Sequence, residues 1–362
     1  MAIAVDREKA LTDFYAHADK LALAPHWLQG NTKPHPRGDV RPWLWRWKDL
    51  RAALFQAAEV MPLGGDTERR ALTMKNPTLQ NARGTTRTLV SAVQLIYPGE
   101  EAPSHRHTNA ALRFIIEGSG AYTVVNGQPC SMEPGDFLLT PSWAWHGHSH
   151  EGQEPMIWLD VLDAPLIGTM DWRFFEEFGS ETKQLQPSEE PLDVSVPRYA
   201  AGGLMPLARR HPGVPHSPLF SYKWPQTRAA LDALTQADMT PFDGLAMVYS
   251  DPATGGPVMP TIDCSIQLLP AGHHTQAHRH TTNTIYHVAE GRGFSILDGV
   301  RFEWEKADTF CVPNWVMHEH ASVDGDAILF AASDLPILEK LGVYREDALP
   351  GGRQEITGTF EG

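Results

Sequence analysis

GEEAPSHRH at residues 99–107 and GHHTQAHRH at residues 272–280 carry the same His-x-His pair. Each is followed by a second His-x-His: His146 lies 39 residues after His107, and His318 lies 38 residues after His280. Working outward, Gln94, Gly99, His105, His107, Glu117, Gly118 and Gly120 recur 173 positions later as Gln267, Gly272, His278, His280, Glu290, Gly291 and Gly293. After a one-residue shortening the offset becomes 172. Gly127, Glu133, Pro141, Trp143, His146 and His148 then match Gly299, Glu305, Pro313, Trp315, His318 and His320. This is an internal duplication.

The flanking pattern is that of short strands with turn punctuation. From about residue 86 run TLVSAVQLIYPG, ALRFIIEGSGAYTVVNGQPCSM and GDFLLTPSWAWHGHS, and from 246 the series recurs. Asn126-Gly127 and Asp298-Gly299 are matching hairpin turns. In a strand, residues i and i+2 share a face, so His105 and His107 converge while Arg106 points away. A third imidazole from a neighbouring strand closes a site inside a small antiparallel barrel or jelly roll. One His-x-His alone is as often a pair of satisfied histidines; two copies, each with a third His at nearly equal spacing, read as a metal-binding scaffold.

The fold expected is therefore mainly β, two jelly-roll barrels in one chain. A helical arm precedes them over 1–78, with an amphipathic helix over 6–28 behind Asp6 and another at 48–61 after the Trp-rich PWLWRW. The first barrel covers 79–167 and a Pro-rich linker with one helix at 227–236 covers 168–245. The second barrel covers 246–338 and a tail 339–362.

Composition narrows the partners. A chain of 362 residues with formal charge −14 is ill suited to nucleic acid or an anionic membrane, which demand cationic surfaces. No segment reaches the length of an apolar membrane span. Cys130, Cys264 and Cys311 are scattered, with no C-x-x-C, and fit a reduced cytoplasm.

The histidine motifs resemble those of the cupin family: Gly99, five residues, then His105-x-His107, and later Gly135, Pro141 and His146. The family's usual Glu ligand is absent, since Ala111 and Leu112 stand in its place, and Trp143 replaces a customary Gly. What remains is a three-histidine site that leaves the full dipositive charge on a metal. Such a site suits ferrous iron and a chelating, dianionic, salicylate-type substrate. Three histidines also suit zinc.

A closer resemblance is to the gentisate 1,2-dioxygenase group of bicupins, with its salicylate and 1-hydroxy-2-naphthoate relatives. It is carried by HRHTNAALRFIIEGSG (105–120), PSWAWHGHSH (141–150), WLDVLDAPL (158–166), HRHTTNTIYHVAEG (278–291) and ERRALTMKNPTL (68–79). It implies Fe(II) on His105, His107 and His146, and insertion of both atoms of O2 between the carboxyl- and hydroxyl-bearing ring carbons. With gentisate the product is maleylpyruvate. It also implies a homotetramer.

Differences between the copies locate the chemistry. Arg113 shares parity with the ligand histidines, and its counterpart is Tyr286; Asp160 falls opposite Ala331 or Ala332. Arg113 is thus expected to bind the substrate carboxylate. Asp160 is expected to accept from a second ring hydroxyl, which favours gentisate. His148 is the acid/base candidate, Gln94 a cavity-lining contact, and Arg69 and Arg70 weaker carboxylate candidates. His150, His273, His274 and His287 carry no assigned role. The second triad, His278, His280 and His318, has a complete ligand set, but its occupancy is not legible. Rival readings are a manganese bicupin decarboxylase or oxidase and a non-catalytic bicupin binding protein.

Overall fold

The computed structural model describes residues 2–28, 34–36, 38–63, 68–80, 84–179, 184–207 and 213–362. It divides into two compact units, Met1–Arg37 and Gly38–Gly362. In the first, helix α1 runs Ala2–Lys20 and a separate turn spans His26–Leu28. The expected helix over 6–28 therefore starts earlier and ends sooner. Residues 2–9 contain no breaker, so Asp6 lies inside the helix, and Pro25 precedes the turn.

In the second unit, β1 (Trp43–Trp45), helix α2 (Trp47–Val60) and β2 (Ala71–Thr73) precede the first barrel. Its strands are β3 (Val90–Ile96), β4 (Glu101–His107), β5 (Ala111–Glu117), β6 (Ala121–Val125), β7 (Gln128–Met132), β8 (Phe137–Thr140), β9 (His146–His150) and β10 (Met156–Leu162). The connector holds α3 (Ala164–Thr169), β11 (Phe175–Glu177), α4 (Ser195–Tyr199), β12 (Ser221–Tyr222) and α5 (Trp224–Asp232). The second barrel comprises β13 (Leu245–Val248), β14 (Asp263–Leu269), β15 (His278–His280), β16 (Thr284–Glu290), β17 (Arg292–Leu297), β18 (Val300–Glu305), β19 (Thr309–Val312), β20 (His318–Ser322) and β21 (Ala327–Ser333). Helix α6 (Leu335–Lys340), β22 (Glu346–Ala348) and β23 (Gly358–Thr359) follow.

Each barrel is a pair of sheets. The first has orders β12-β8-β5-β10-β3-β2 and β11-β4-β9-β6-β7; the second has β1-β19-β16-β21-β14-β13 and β22-β15-β20-β17-β18-β23. The duplication extends to irregularities. The β5/β10 ladder skips Ile116 and the β16/β21 ladder skips Ala289, its equivalent. Both Asn126-Gly127 and Asp298-Gly299 have positive φ at each residue, as a tight hairpin turn demands.

The repeat also includes the arms, and these are exchanged. WKDLRAAL in α2 and WPQTRAAL in α5 share Trp and Arg-Ala-Ala-Leu. β1 leads into α2 but pairs with β19 of the second barrel, whereas β12 leads into α5 but pairs with β8 of the first. Two equivalent aspartates cap the two helices. Asp308 Oδ1 accepts from Trp47 N at 2.7 Å, and Asp136 Oδ1 accepts from Trp224 N at 2.9 Å. The preceding cations complete each cap, Arg46 with Asp308 and Lys223 with Asp136. Each helix then pairs with the barrel that follows it in the chain, Arg51 with Glu117 and Arg228 with Glu290. The β1–α2 and β12–α5 segments are thus clamps between barrels. One apolar core runs across that junction, with Phe114 stacked on Phe330 at 4.7 Å and Phe137 5.4 Å from the same ring.

Gly118 marks where this close packing depends on a single residue. It sits at φ +87°, and a Cβ there would lie 2.3 Å from the Pro155 carbonyl oxygen. Gly118→Ala should therefore cost ~2 kcal/mol or more, the sum of a left-handed conformation and a backbone clash. Chemical denaturation measures it; an unchanged midpoint would remove the packing argument. Among the described residues no helix is long and apolar enough to cross a membrane. Cys130, Cys264 and Cys311 are free and buried.

Candidate active site

β4 and β9 lie side by side with His105 directly opposite His146. Strand parity adds His107, and the three imidazoles close on one another with ring centroids 5.3, 4.6 and 4.9 Å apart. One nitrogen from each lies within 4.8 Å of the others. Two rings have their tautomer fixed by carbonyls, which only accept: His107 Nδ1 donates to Asn109 O at 2.7 Å and His146 Nδ1 to Ala144 O at 2.9 Å. Their Nε2 atoms are thereby left as bare lone pairs, the state a metal ligand needs. Glu68 Oε2 stands 3.7 Å from His105 Nδ1.

Burial keeps these rings neutral. It pushes His105 down to about 2, helped by Arg69, His107 and Arg113, and His107 down to about 4 against its carbonyl bond. His146 and His148 fall well below the usual imidazole range for the same reason, with Arg113 the next cause. The donor set therefore fits a divalent transition ion.

The middle residue, Arg106, faces outward and supports the turn that delivers His146. Trp143 in that turn has φ +62°, a conformation that costs a non-glycine residue ~1–2 kcal/mol. The Arg106 guanidinium lies 4.4 Å from the Trp143 ring centroid and pairs with Glu176, while Trp143 N donates to His107 O at 2.8 Å. The second barrel repeats the device with Arg279 over Trp315, itself at φ +66°.

The opposing sheet supplies the polar residues. Arg113 on β5 and Asp160 on β10 are cross-strand partners, both buried, with Arg113 Nε 3.3 Å from Asp160 Oδ1. Arg113 Nη1 also donates to Thr140, and Trp158 Nε1 donates to Asp160 Oδ2 at 3.1 Å. Burial lowers the Arg113 pKa and raises that of Asp160, each countered by the other. Asp160 thus faces Arg113 through Oδ1 and accepts from Trp158 at Oδ2. In the second barrel the same cross-strand pair is Tyr286 with Ala331, which settles the alignment left open in the sequence.

His148 is buried, with Nδ1 2.9 Å from Thr123 Oγ1 and its ring 5.0 Å from that of Trp158. Gln94 is buried on β3 opposite Trp158. Of the two arm arginines, only Arg69 joins the group. It donates to the Pro103 carbonyl at 2.6 Å and is held down to about 10 by burial and then by Arg113. Arg70 instead forms a bidentate pair with Glu100 and stacks on Tyr97.

Three buried polar atoms here have no hydrogen-bond partner, Gln94 Nε2, His105 Nδ1 and His148 Nε2, while Arg113 Nε and Asp160 Oδ1 face each other as an ion pair. Leaving such groups unmet costs ~1–3 kcal/mol each. Their concentration marks a site shaped for a polar ligand. The sequence reading missed Thr140 and Thr123. A copy comparison contains both signals: Thr140 aligns with Val312 and so follows the asymmetry of Arg113, and Thr123 aligns with Ser295, which holds His320 at 2.7 Å.

Comparison with known proteins agrees with this geometry. The cupin domain model matches residues 92–162 and 265–332. A 5-aminosalicylate 1,2-dioxygenase from a Comamonas species is 39% identical over 347 residues, 94% of this chain and 91% of that protein. Gentisate 1,2-dioxygenase 1 of Aquipseudomonas alcaligenes is 38% identical over 346 residues, 95% and 97% of the two chains. The crystal structure of salicylate 1,2-dioxygenase from Pseudoaminobacter salicylatoxidans with gentisate superposes with TM-score 0.86 at 35% identity, covering 94% of each chain. The chain belongs to the bicupin family of gentisate, salicylate and 1-hydroxy-2-naphthoate ring-cleaving 1,2-dioxygenases.

Proposed function

We propose that this enzyme is a ferrous ring-cleaving dioxygenase whose preferred substrate is gentisate, opened to maleylpyruvate. The observation that carries the reading is the first triad together with the buried Arg113 and the unpartnered Gln94 Nε2 and His148 Nε2, a set that offers a ring acid several polar contacts. Relatives named gentisate 1,2-dioxygenase support the choice of substrate. In this reading His105, His107 and His146 hold the metal. Bound Fe(II) would supply a common template for substrate and O2 and an electron path between them. The bond broken joins the carboxyl-bearing and hydroxyl-bearing ring carbons, and both oxygen atoms end in the product.

The remaining steps belong to side chains. Arg113 grips the substrate carboxylate with the geometry a guanidinium offers. Thr140 and Asp160 fix the plane of that guanidinium. His148, neutral and anchored through Nδ1, presents Nε2 to hold or pass the proton of the ring hydroxyl. Gln94 Nε2 donates to a substrate oxygen, and Arg69 adds positive potential from the arm. The homotetramer, the cytoplasmic location and the sequence-based domain limits belong to the same proposal. Light scattering checks the first.

Ferrous reconstitution without air, followed by O2 uptake with gentisate, salicylate and 1-hydroxy-2-naphthoate, tests the substrate. Gentisate should show the highest kcat/KM, by about tenfold over salicylate, or ~1.4 kcal/mol. Absence of gentisate turnover with rapid salicylate turnover would transfer the assignment.

A further inference from the structure

Within the first triad, His105 differs from the other two rings at its outward nitrogen. His107 and His146 donate from Nδ1 to backbone carbonyls, whereas His105 Nδ1 is buried with no hydrogen-bond partner among the described residues. A neutral ring that offers Nε2 to a metal carries its proton on Nδ1, and that proton needs an acceptor. The group that faces it is Glu68, whose Oε2 stands 3.7 Å away, roughly half an ångström beyond hydrogen-bond range.

The duplication shows the closed form of the same pairing. His278 is the counterpart of His105, and its Nδ1 lies 2.8 Å from Glu346 Oε1. Glu346 belongs to edge strand β22, which pairs with β15 and sets it against His280. The matching edge strand of the first barrel, β11, sets Phe175 against His107. Phe175 packs its ring 4.9 Å from His105 and has no acceptor to give. The first barrel thus receives no carboxylate from its edge strand and has one from the arm that precedes it. Two unrelated segments bring a glutamate to the same ring atom.

The backbone around Glu68 is fixed to the strand that carries His105. Arg69 donates to the Pro103 carbonyl of β4 at 2.6 Å, and Arg70 holds Glu100 through both Nη atoms at 2.9 and 2.8 Å. The Glu68 side chain itself is 37% exposed and is free to close the remaining gap.

We propose that Glu68 is a positioning residue of the first metal centre. Its carboxylate accepts the Nδ1 proton of His105, holds that ring with Nε2 toward the metal, and makes the ligand more basic. The negative charge missing from the ligand set, where Ala111 and Leu112 stand, is returned behind a ligand. There it steadies the centre without taking a position that substrate and O2 need. This inference rests on the first triad holding the metal, and not on which ring acid is the substrate.

The test is an anaerobic Co(II) titration of the full-length chain after stripping with chelator, read by visible absorption. The part of the signal missing from His107→Ala belongs to the first triad. Glu68→Ala should weaken that ion by about 10–100-fold and shift its absorption band. The thermal midpoint of the metal-free protein should stay within ~2 °C. Glu68→Gln keeps an acceptor without the charge and should recover part of the affinity. Unaltered affinity and spectrum in Glu68→Ala, with the signal lost in His107→Ala, would overturn the role of Glu68 alone. Weaker binding accompanied by a lower metal-free midpoint would make Glu68 a structural contact and overturn it as well. A signal unchanged in His107→Ala would overturn the metal reading of the first triad together with this one.

Discussion

His107→Ala should remove one metal ion per chain and lower ring cleavage by a factor on the order of 10³ or more, since the metal supplies the activation step. His107 has no substitute within the triad. Its Nδ1 is committed to the Asn109 carbonyl, and the alanine offers no donor at Nε2. Two imidazoles, His105 and His146, would remain. Loss through unfolding is not expected: His107 is only half-buried, and burial together with Arg113 disfavours its charge. The ring is neutral, so its removal costs the metal-free protein chiefly the hydrogen bond to the Asn109 carbonyl, about 1 kcal/mol. Elemental analysis, thermal melting and O2 uptake on the same preparation separate the two effects. Wild-type O2 uptake by a folded variant would refute the first triad as the catalytic centre.

The barrels and triads were legible because duplication turns one sequence into two observations of the same fold. Paired His-x-His motifs, matching turns and a shared offset identify strands that no single propensity would place. The same comparison separated Arg113 from Tyr286 and so pointed to the first barrel. Cross-strand chemistry was less legible. Asp160 was visible as an acid absent from the second copy. That it faces Arg113 follows from the β5/β10 register, which a bulge at Ile116 shifts. The exchanged arms escaped for a different reason. Arg-Ala-Ala-Leu recurs in both helices, but outside the offset that aligns the barrels, and the sequence does not say which barrel a preceding strand joins. The same holds for Glu346: only strand pairing shows that it stands where Phe175 does.

The Arg113–Asp160 pair yields the second large effect and decides what Asp160 does. Arg113→Met would leave a buried carboxylate without its counter-ion, a loss of ~3–5 kcal/mol that confounds any rate measurement. Arg113→Lys is the informative change, because it keeps the charge and loses the planar fork. Its kcat/KM on gentisate should fall about 10²–10³-fold with metal content unchanged. The loss should appear in kcat as well as KM, since a misaligned carboxylate displaces the reacting carbon. The double variant Arg113→Met/Asp160→Asn removes both charges together, so it should recover much of the stability lost in Arg113→Met and none of the activity. Asp160→Asn alone then distinguishes two roles. An aspartate serving the second hydroxyl of gentisate would, when replaced, impair gentisate and spare salicylate. An aspartate that positions Arg113 must impair both acids alike, because both present the carboxylate that Arg113 grips. With Oδ2 held by Trp158 and Oδ1 against the guanidinium, the second pattern is expected, at about tenfold for each acid. A selective loss on gentisate would return Asp160 to the substrate hydroxyl.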